Sequence, residues 1–145
     1  MRFDFATAAR IVFGPGRIRE AVSEAASIGG PILVVTGRTP ARAASMIAEL
    51  RAAKTECTPF TISGEPTIAG VLDGVRAAKE ADCRTIIGYG GGSALDGSKA
   101  IAALLSNPGD PLDYLEVVGG GRSRPLDRLE SVQRFRLRTA DRDAI

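Results

Sequence analysis

Residues 85–99 read TIIGYGGGSALDGSK and carry the clearest pattern in this chain. A β-branched run, Thr85 to Ile87, leads into glycines, and a helical pattern follows them. The apolar stripe of that helix comprises Leu95, Ile101, Leu104 and Leu105. We predict a strand, a tight loop and a helix N-terminus. This arrangement suits a phosphate, because glycines let the backbone approach an anion closely and the first helical turn offers unpaired N–H groups.

Known phosphate-loop fingerprints match this loop only in part. The Lys-Ser/Thr ending of a Walker A loop is absent, and Gly88-x-Gly90-x-x-Ser93 has serine in place of the third glycine of a dinucleotide fingerprint. The alternative is a glycine-rich turn that binds nothing. We favour phosphate binding, because three consecutive glycines cost backbone entropy in any fold. Ser93 could cap the helix or donate its hydroxyl to a phosphate oxygen.

Composition narrows the class of protein. A chain of 145 residues with 44% hydrophobic and 25% charged residues is typical of one globular domain. No apolar run has the length of a membrane span, and the N-terminus lacks a signal peptide's layout, so we predict a cytoplasmic protein without a membrane partner. A net charge of +2 is too small to indicate nucleic-acid binding. Cys57 and Cys83 are expected to be reduced.

The sequence contains no histidine. This composition excludes acid–base catalysis by an imidazole of this chain and excludes imidazole metal ligands from it.

Hydrophobic periodicity outlines an alternation of strands and helices. After a short N-terminal β-hairpin (3–5 and 11–13), helices are predicted at 17–28, 40–53 and 67–81, and strands at 31–36, 58–63 and from Thr85. In the helix over 40–53 we expect Ala44, Ile47 and Leu50 to face inward. Three strand–helix alternations predict an α/β fold: a Rossmann-like three-layer domain with a mostly parallel sheet.

Three polar or glycine-rich segments follow the predicted strands directly. They are Thr36-Gly37, Gly64-Glu65 and Gly88 to Ser93. Right-handed crossovers bring the carboxyl ends of parallel strands to one edge of the sheet, where ligands bind. The sequence therefore predicts a nucleotide site at that edge.

The motifs together resemble a known family. They are Phe13-Gly14-x-Gly16, Val34-Val35-Thr36-Gly37, Gly64-Glu65-Pro66-Thr67, Gly90-Gly91-Gly92-Ser93-x-x-Asp96-x-x-Lys99 and Asp113-Tyr114-Leu115-Glu116-Val117. Residues 1–125 resemble the N-terminal nucleotide-binding half of the iron-dependent (group III) alcohol dehydrogenases. The resemblance implies an NAD(P)-dependent oxidoreductase that moves hydride between the nicotinamide and a small alcohol or aldehyde. It also implies that the family's iron or zinc site, held by an aspartate and histidines of a C-terminal half, is absent from this truncated chain, so no catalytic residue is assigned.

The cofactor-binding residues expected from the motifs and the resemblance are Thr36, Gly37, Arg38, Glu65, Gly90, Gly91, Gly92, Ser93, Asp96 and Lys99. Gly91, Gly92 and Ser93 would contact the pyrophosphate. Asp96 would organise the loop, through a capping box with Ser93 for example. Lys99 either adds positive charge near the phosphates or pairs with Asp96.

Two further assignments leave alternatives open. Glu65 either accepts hydrogen bonds from ribose hydroxyls or is a helix N-terminal acid. In the family that the chain resembles, NAD-preferring members tend to have an aspartate at the position of Gly37. Here Gly37 precedes Arg38, which favours a 2′-phosphate and hence NADP over NAD. The alternative is that Arg38 is an ordinary surface residue.

The last segment differs in composition. Residues 122–145 contain seven arginines and four acids, so they carry +3 and residues 1–121 carry −1, which sum to +2. We divide the chain into a nucleotide-binding domain (1–121) and an arginine-rich tail (122–145) that diverges from the family, and we expect the tail to be solvated or loosely packed. A reading-frame slip in the gene or clone would explain the change.

The alternative function is an inactive, truncated nucleotide-binding or self-associating module, and we expect a homodimer or higher oligomer.

Overall fold

A computed structural model describes residues 12–107 and 109–114 and the backbone of 134–137. The α-helices are α1 (Ile18–Ile28), α2 (Ala44–Ala52), α3 (Ile68–Glu80) and α4 (Gly92–Ser106), and the strands are β1 (Ile32–Thr36), β2 (Cys57–Thr61), β3 (Thr85–Tyr89) and β4 (Arg134–Leu137). Two 3₁₀ turns span Pro40–Ala43 and Pro111–Tyr114. The predicted alternation of strands and helices is therefore confirmed from α1 to α4.

The four strands form one parallel sheet in the order β2-β1-β3-β4. All residues of the central strands β1 and β3 are buried, and burial on both faces explains the apolar run of β1. The connection from β1 to β2 runs through α2 and the connection from β2 to β3 runs through α3, as is usual between parallel strands.

Side chains that alternate along β1 divide the core into two layers. Ile32 and Val34 pack with α1 and α2, and Leu33 and Val35 pack with α3 and α4. Helices on both faces of a parallel sheet make the predicted three-layer α/β domain. None of the helices in the described ranges has the length and apolar character needed to cross a bilayer.

Glycines let α4 lie unusually close to its neighbours. A Cβ on Gly88 of β3 would lie 2.3 Å from Ser98 Oγ, and one on Gly97 would lie 2.1 Å from Ile62 Cδ1. These distances are far below van der Waals contact, so a Cβ at either position would displace the facing side chain. Close approach at Gly97 holds α4 against the segment after β2.

The inward face predicted for the helix over 40–53 is wrong at one position. Ala44 is exposed, and the buried face consists of Ala43, Met46 and Leu50, with Ile47 half-buried. The buried and half-buried positions 43, 46, 47 and 50 have the i, i+3, i+4, i+7 spacing of one helix face, and Ala44 lies outside that face.

The predictions for the two ends of the chain have different outcomes. The predicted hairpin lies outside the described residues, apart from 12 and 13, which are not in a strand. The tail was expected to be solvated or loosely packed, yet its residues Arg134–Leu137 pair with β3 as the parallel strand β4. The Arg-Phe-Arg-Leu alternation has the period of two that a strand requires, but it is too short to predict one by itself.

Candidate functional site

The carboxyl ends of β1 and β3 form a crevice. The chain runs from β1 outward to β2 and then returns to the other side of β1 as β3, so the connections that leave β1 and β3 diverge. Thr36 is paired with Tyr89, so both strands end at one level. Such a topological switch point is where open α/β sheets bind ligands.

A small open cleft occupies this crevice. Its volume is about 100 Å³, and it is lined by Gly37, Arg38, Thr39, Arg42, Tyr89, Gly90 and Gly91. The loops after β1 and β3 touch here, since a Cβ on Gly90 would lie 3.6 Å from the backbone nitrogen of Gly37. Sites for whole ligands usually enclose about 300–1,000 Å³. The cleft therefore matches one polar portion of a dinucleotide.

The loop that leads into α4 is shaped for close approach of an anion. Gly90 has φ +146°, a conformation that side chains rarely adopt, and it turns the chain out of β3. Gly91 is the N-cap of α4, and its carbonyl oxygen accepts from the backbone N–H of Leu95 at 3.1 Å. The N–H groups of Gly92, Ser93 and Ala94 have no acceptor within the helix because of their position in its first turn.

Gly91 and Gly92 border open space. A Cβ built on either of them would have no atom of another residue within 4 Å. The space that side chains would fill is thus left open beside the positive end of the α4 dipole. This cradle fits a phosphate or pyrophosphate group.

Thr36 has a structural role at the ends of two neighbouring strands. It is buried, its hydroxyl lies 3.2 Å from the Phe60 carbonyl oxygen, to which it donates, and 3.1 Å from Thr61 Oγ1. These contacts join the ends of β1 and β2, and Thr36 does not line the cleft.

Arg38 bridges two loops at the site. Its Nε donates to the carbonyl oxygen of Ser63 at 2.9 Å, which ties the loop after β1 to the loop after β2. The side chain also lines the cleft. Arg38 is exposed, and this hydrogen bond holds its side chain between the two loops.

The predicted capping box is wrong. The N-cap of α4 is Gly91, so Ser93 lies in the first turn and Asp96 lies beyond it. Asp96 Oδ1 instead accepts from Lys99 Nζ at 3.2 Å, which is the pairing offered as the alternative for Lys99. Both side chains are more than half exposed, so this pair adds little stability. Ser93, Asp96 and Lys99 are not among the residues that line the cleft.

Glu65 is exposed and lies outside the cleft. It precedes Thr67, the N-cap of α3, whose hydroxyl accepts from the Gly70 N–H at 3.1 Å. Glu65 therefore stands two residues before the N-cap of α3, the position that the alternative of a helix N-terminal acid assumes. The neighbouring Pro66 Cγ would lie 3.7 Å from a Cβ on Gly97, so this loop packs on α4.

The structure adds three residues that the sequence analysis missed. Thr39, Arg42 and Tyr89 line the cleft. Tyr89 lies between two glycines at the end of β3, and Arg42 stands four residues after Arg38, a spacing that could have indicated a pair of cations. The strand order was needed to bring these segments together.

The two cysteines lie away from this chemistry. Both are free thiols; Cys57 begins β2 and Cys83 precedes β3, at the opposite edge of the sheet. Burial raises the pKa of both thiols, although Arg51 opposes the rise at Cys57 and a hydrogen bond with Thr58 opposes it at Cys83. Both therefore stay protonated at neutral pH and are weak nucleophiles.

Comparison with known proteins was made at the levels of family, sequence and structure. The model of the family described as iron-containing alcohol dehydrogenase matches residues 8–133, which reaches into the arginine-rich tail. Sulfoacetaldehyde reductase of Bilophila wadsworthia is 33% identical over 78% of this chain and 30% of its own length. NADH-dependent butanol dehydrogenase A of Clostridium acetobutylicum is 28% identical over 80% of this chain and 31% of its own length.

A solved structure extends the likeness to three dimensions. Sulfoacetaldehyde reductase from Bifidobacterium kashiwanohense, in complex with NAD+, is similar with a TM-score of 0.70 and 25% identity, over 92% of this chain and 35% of that one. The chain thus spans about a third of the length of these relatives.

Proposed function

The chain belongs to the iron-containing alcohol dehydrogenase family, and from this relationship we propose that it forms the part of such an oxidoreductase that binds a nicotinamide dinucleotide. The cleft between β1 and β3, with the open glycine cradle at the start of α4, is the observation that carries the proposal. The NAD+ complex of the similar reductase supports it.

In this proposal the pyrophosphate lies at the N-terminus of α4. Backbone N–H groups of Gly92 and Ser93 donate to its oxygens, and Gly91 leaves room for it. Gly90 turns the backbone to form the cradle. Asp96 and Lys99 act from the second turn, where their ion pair keeps the carboxylate away from the phosphates. Glu65, from the loop after β2, reaches a ribose hydroxyl.

We further propose that NADP is preferred over NAD. NAD-preferring members of the family tend to have an aspartate directly after β1, at the position of Gly37, where a carboxylate would accept from the 2′-hydroxyl. No carboxylate lines the cleft, position 37 is glycine, and Arg38 presents a guanidinium there. The named NADH dependence of one relative and the NAD+ complex of another stand against a preference shared by the whole family. The preference proposed here rests on residues 37 and 38 of this chain.

The proposed reaction is hydride transfer to or from a small alcohol or aldehyde. The two relatives are named for butanol and for sulfoacetaldehyde, which supports this substrate class. The nicotinamide supplies the hydride chemistry when it is bound, and the residues of this chain bind and orient it. No residue of this chain is assigned a catalytic role.

The metal in the family's name does not fit the described residues. Within 12–107 and 109–114, no three His, Cys, Asp or Glu side chains are grouped so as to hold a metal ion. The complete sequence has no histidine. No step of the proposed function is therefore routed through a metal held by these residues.

Titration of the full chain with NADPH and with NADH tests the proposal, with nicotinamide fluorescence and calorimetry as readouts. We expect saturable binding of both, with the lower Kd for NADPH.

A second candidate, a module that binds the nucleotide without catalysis, is favoured by the small volume of the cleft. Oxidation of short-chain alcohols by the chain with NADP+ would separate the two. Absence of binding to either dinucleotide would contradict both.

We also propose that the chain self-associates and that it is located in the cytoplasm. Ile68 and Leu72 are 45% and 41% exposed and stand one turn apart on α3, where a second copy could cover them. Burying apolar surface stabilises by about 25 cal/mol per Å².

The free thiols Cys57 and Cys83 suit a reducing compartment.

A further inference from the structure

We propose that the hydroxyl of Tyr89 is a ligand-binding group of the cleft and contacts a hydroxyl of the adenosine ribose of the dinucleotide. The inference rests on the proposed function and assigns a further residue to cofactor binding. Tyr89 is the last residue of β3, and it is paired with Thr36 at the end of β1. It therefore stands at the point where the two strands leave the sheet.

Packing fixes the ring of Tyr89. The residue is 8% exposed and belongs to the core layer that also contains Val22 of α1 and Ile87 of β3. The register of β3 explains this position, because Ile87 and Tyr89 are two residues apart and so face the same side of the sheet. Side chains packed in a core hold one rotamer, so the Tyr89 hydroxyl is presented at a fixed place.

The hydroxyl of Tyr89 is free to meet a ligand. Within residues 12–107 and 109–114, this hydroxyl makes no hydrogen bond. In the same ranges, Thr85 Oγ1 is the fully buried side-chain polar atom that lacks a partner, so the Tyr89 hydroxyl, which also lacks one, is in contact with solvent. The hydroxyl of a buried tyrosine usually has a hydrogen-bond partner. Because Tyr89 lines the cleft, a bound ligand can supply that partner.

Tyr89 supplies a chemical function that the arginines of the cleft lack. A guanidinium group only donates hydrogen bonds, whereas a phenolic hydroxyl both donates and accepts. The glycines of the cleft contribute no side chain, so its side-chain acceptors are the hydroxyls of Thr39 and Tyr89. Thr39 is exposed, whereas Tyr89 is held by the core. Tyr89 is therefore the preorganised acceptor for the proton of a ligand hydroxyl.

The position of Tyr89 in the cleft indicates the ribose. In the proposed arrangement the pyrophosphate lies at Gly91, and the 2′ position of the adenosine lies at Gly37 and Arg38. Tyr89 directly precedes the glycine loop, and its strand partner Thr36 directly precedes Gly37, so Tyr89 lies between these two groups. The adenosine ribose connects them, and NADP and NAD both contain its 3′-hydroxyl. We therefore expect the contact to serve both dinucleotides.

The test measures ADP, 2′-deoxy-ADP and 3′-deoxy-ADP by displacement of NADPH from the full-length parent chain and from Tyr89→Phe. Phenylalanine keeps the buried ring and removes only the hydroxyl. The Kd for ADP should rise about 3- to 10-fold. The Kd for one of the two deoxy analogues should change less than about twofold, because that analogue lacks the hydroxyl that Tyr89 contacts. The matched control is Tyr114→Phe, which removes the other tyrosine hydroxyl of the chain, outside the cleft, and should leave every Kd unchanged.

Tyrosine fluorescence gives a second measurement, in which Tyr89 stays intact. The chain contains two tyrosines and no tryptophan, so Tyr89 is the only emitter in the Tyr114→Phe variant. Addition of ADP should change this emission over the concentration range in which ADP displaces NADPH. An emission that stays constant while NADPH is displaced would place the adenosine away from Tyr89 and overturn the inference.

The outcomes separate this inference from the proposed function. If the parent binds NADPH, but Tyr89→Phe changes the Kd for ADP less than about twofold or weakens ADP and both deoxy analogues equally, the hydroxyl does not bind the ribose, while the nucleotide-binding function stands. ADP that fails to displace bound NADPH would also overturn the inference alone. If the parent binds neither NADPH nor NADH, the proposed function and this inference fall together.

Discussion

Replacement of Gly91 by valine provides the strongest test of the phosphate cradle. The backbone at Gly91 has φ −81° and ψ −166°, which is extended geometry that valine adopts readily. A Cβ there would meet no atom of another residue within 4 Å. The folded chain therefore accommodates the new side chain, which fills the space proposed for the pyrophosphate.

The expected effects on stability and on binding differ in size. Valine is a poorer N-cap than glycine by about 1 kcal/mol, and the reduced entropy of the unfolded chain offsets about half of that. The change in the free energy of unfolding should thus stay below about 1 kcal/mol. Binding should lose the charge-assisted hydrogen bonds from two backbone N–H groups, each about 1.5–3 kcal/mol, so the Kd should rise by roughly 10²- to 10⁴-fold.

Isothermal calorimetry with NADPH measures the loss of binding, and thermal unfolding followed by circular dichroism shows whether the variant is folded. Gly64→Val is the matched control, because Gly64 also borders open space, has an ordinary φ and does not line the cleft. It should keep the affinity of the parent. A folded Gly91→Val variant whose Kd is within about threefold of the parent value would refute the assignment of the cradle.

Three further predictions address other parts of the molecule. Gly37→Asp should raise the Kd for NADPH relative to that for NADH, since the new carboxylate repels a 2′-phosphate; an unchanged ratio in parallel titrations would show that position 37 does not face the adenosine ribose. Gly97→Ala should change the free energy of unfolding in urea by less than about 1 kcal/mol, because the gain in helix propensity offsets the displacement of Ile62 Cδ1, which would lie 2.1 Å from the new Cβ. A loss above about 2 kcal/mol would show that Ile62 cannot move aside. Sedimentation velocity at micromolar concentration should detect a dimer or larger species, which Leu72→Glu should weaken if α3 is the interface. A parent chain that sediments as a 15.1 kDa monomer would contradict self-association.

The sequence by itself determined the order and type of the central elements. Runs such as Ile32–Thr36 are buried on both faces, so every residue in them is constrained to be apolar or small, and the strand signal is continuous. Amphipathic helices between such strands leave a parallel sheet with helices on both faces as the consistent arrangement. The glycines after β3 also indicated the tight turn into α4, where Gly90 has φ +146°.

Finer placement within an element was beyond the sequence. Consecutive glycines do not specify which residue begins the helix. In the structure Gly91 is the N-cap of α4, and the Ser93–Asp96 capping box therefore does not form. In the same way, an alanine-rich segment has a weak hydrophobic period, which did not distinguish the buried Ala43 from the exposed Ala44. Both outcomes depend on local backbone geometry, and many different residues are compatible with the same geometry.

Only the tertiary structure determined which residues meet at the cleft. Arg38 and Arg42 follow β1, whereas Tyr89 ends β3, and α2, β2 and α3 separate them in the chain. They converge because β3 pairs with β1 on the side opposite to β2. The hydrogen bond from Arg38 to Ser63 likewise joins two loops that are adjacent only in the folded sheet. Periodicity reports which face of an element is buried, whereas strand order determines its neighbours, and these long-range pairings leave no periodic signal in a single sequence.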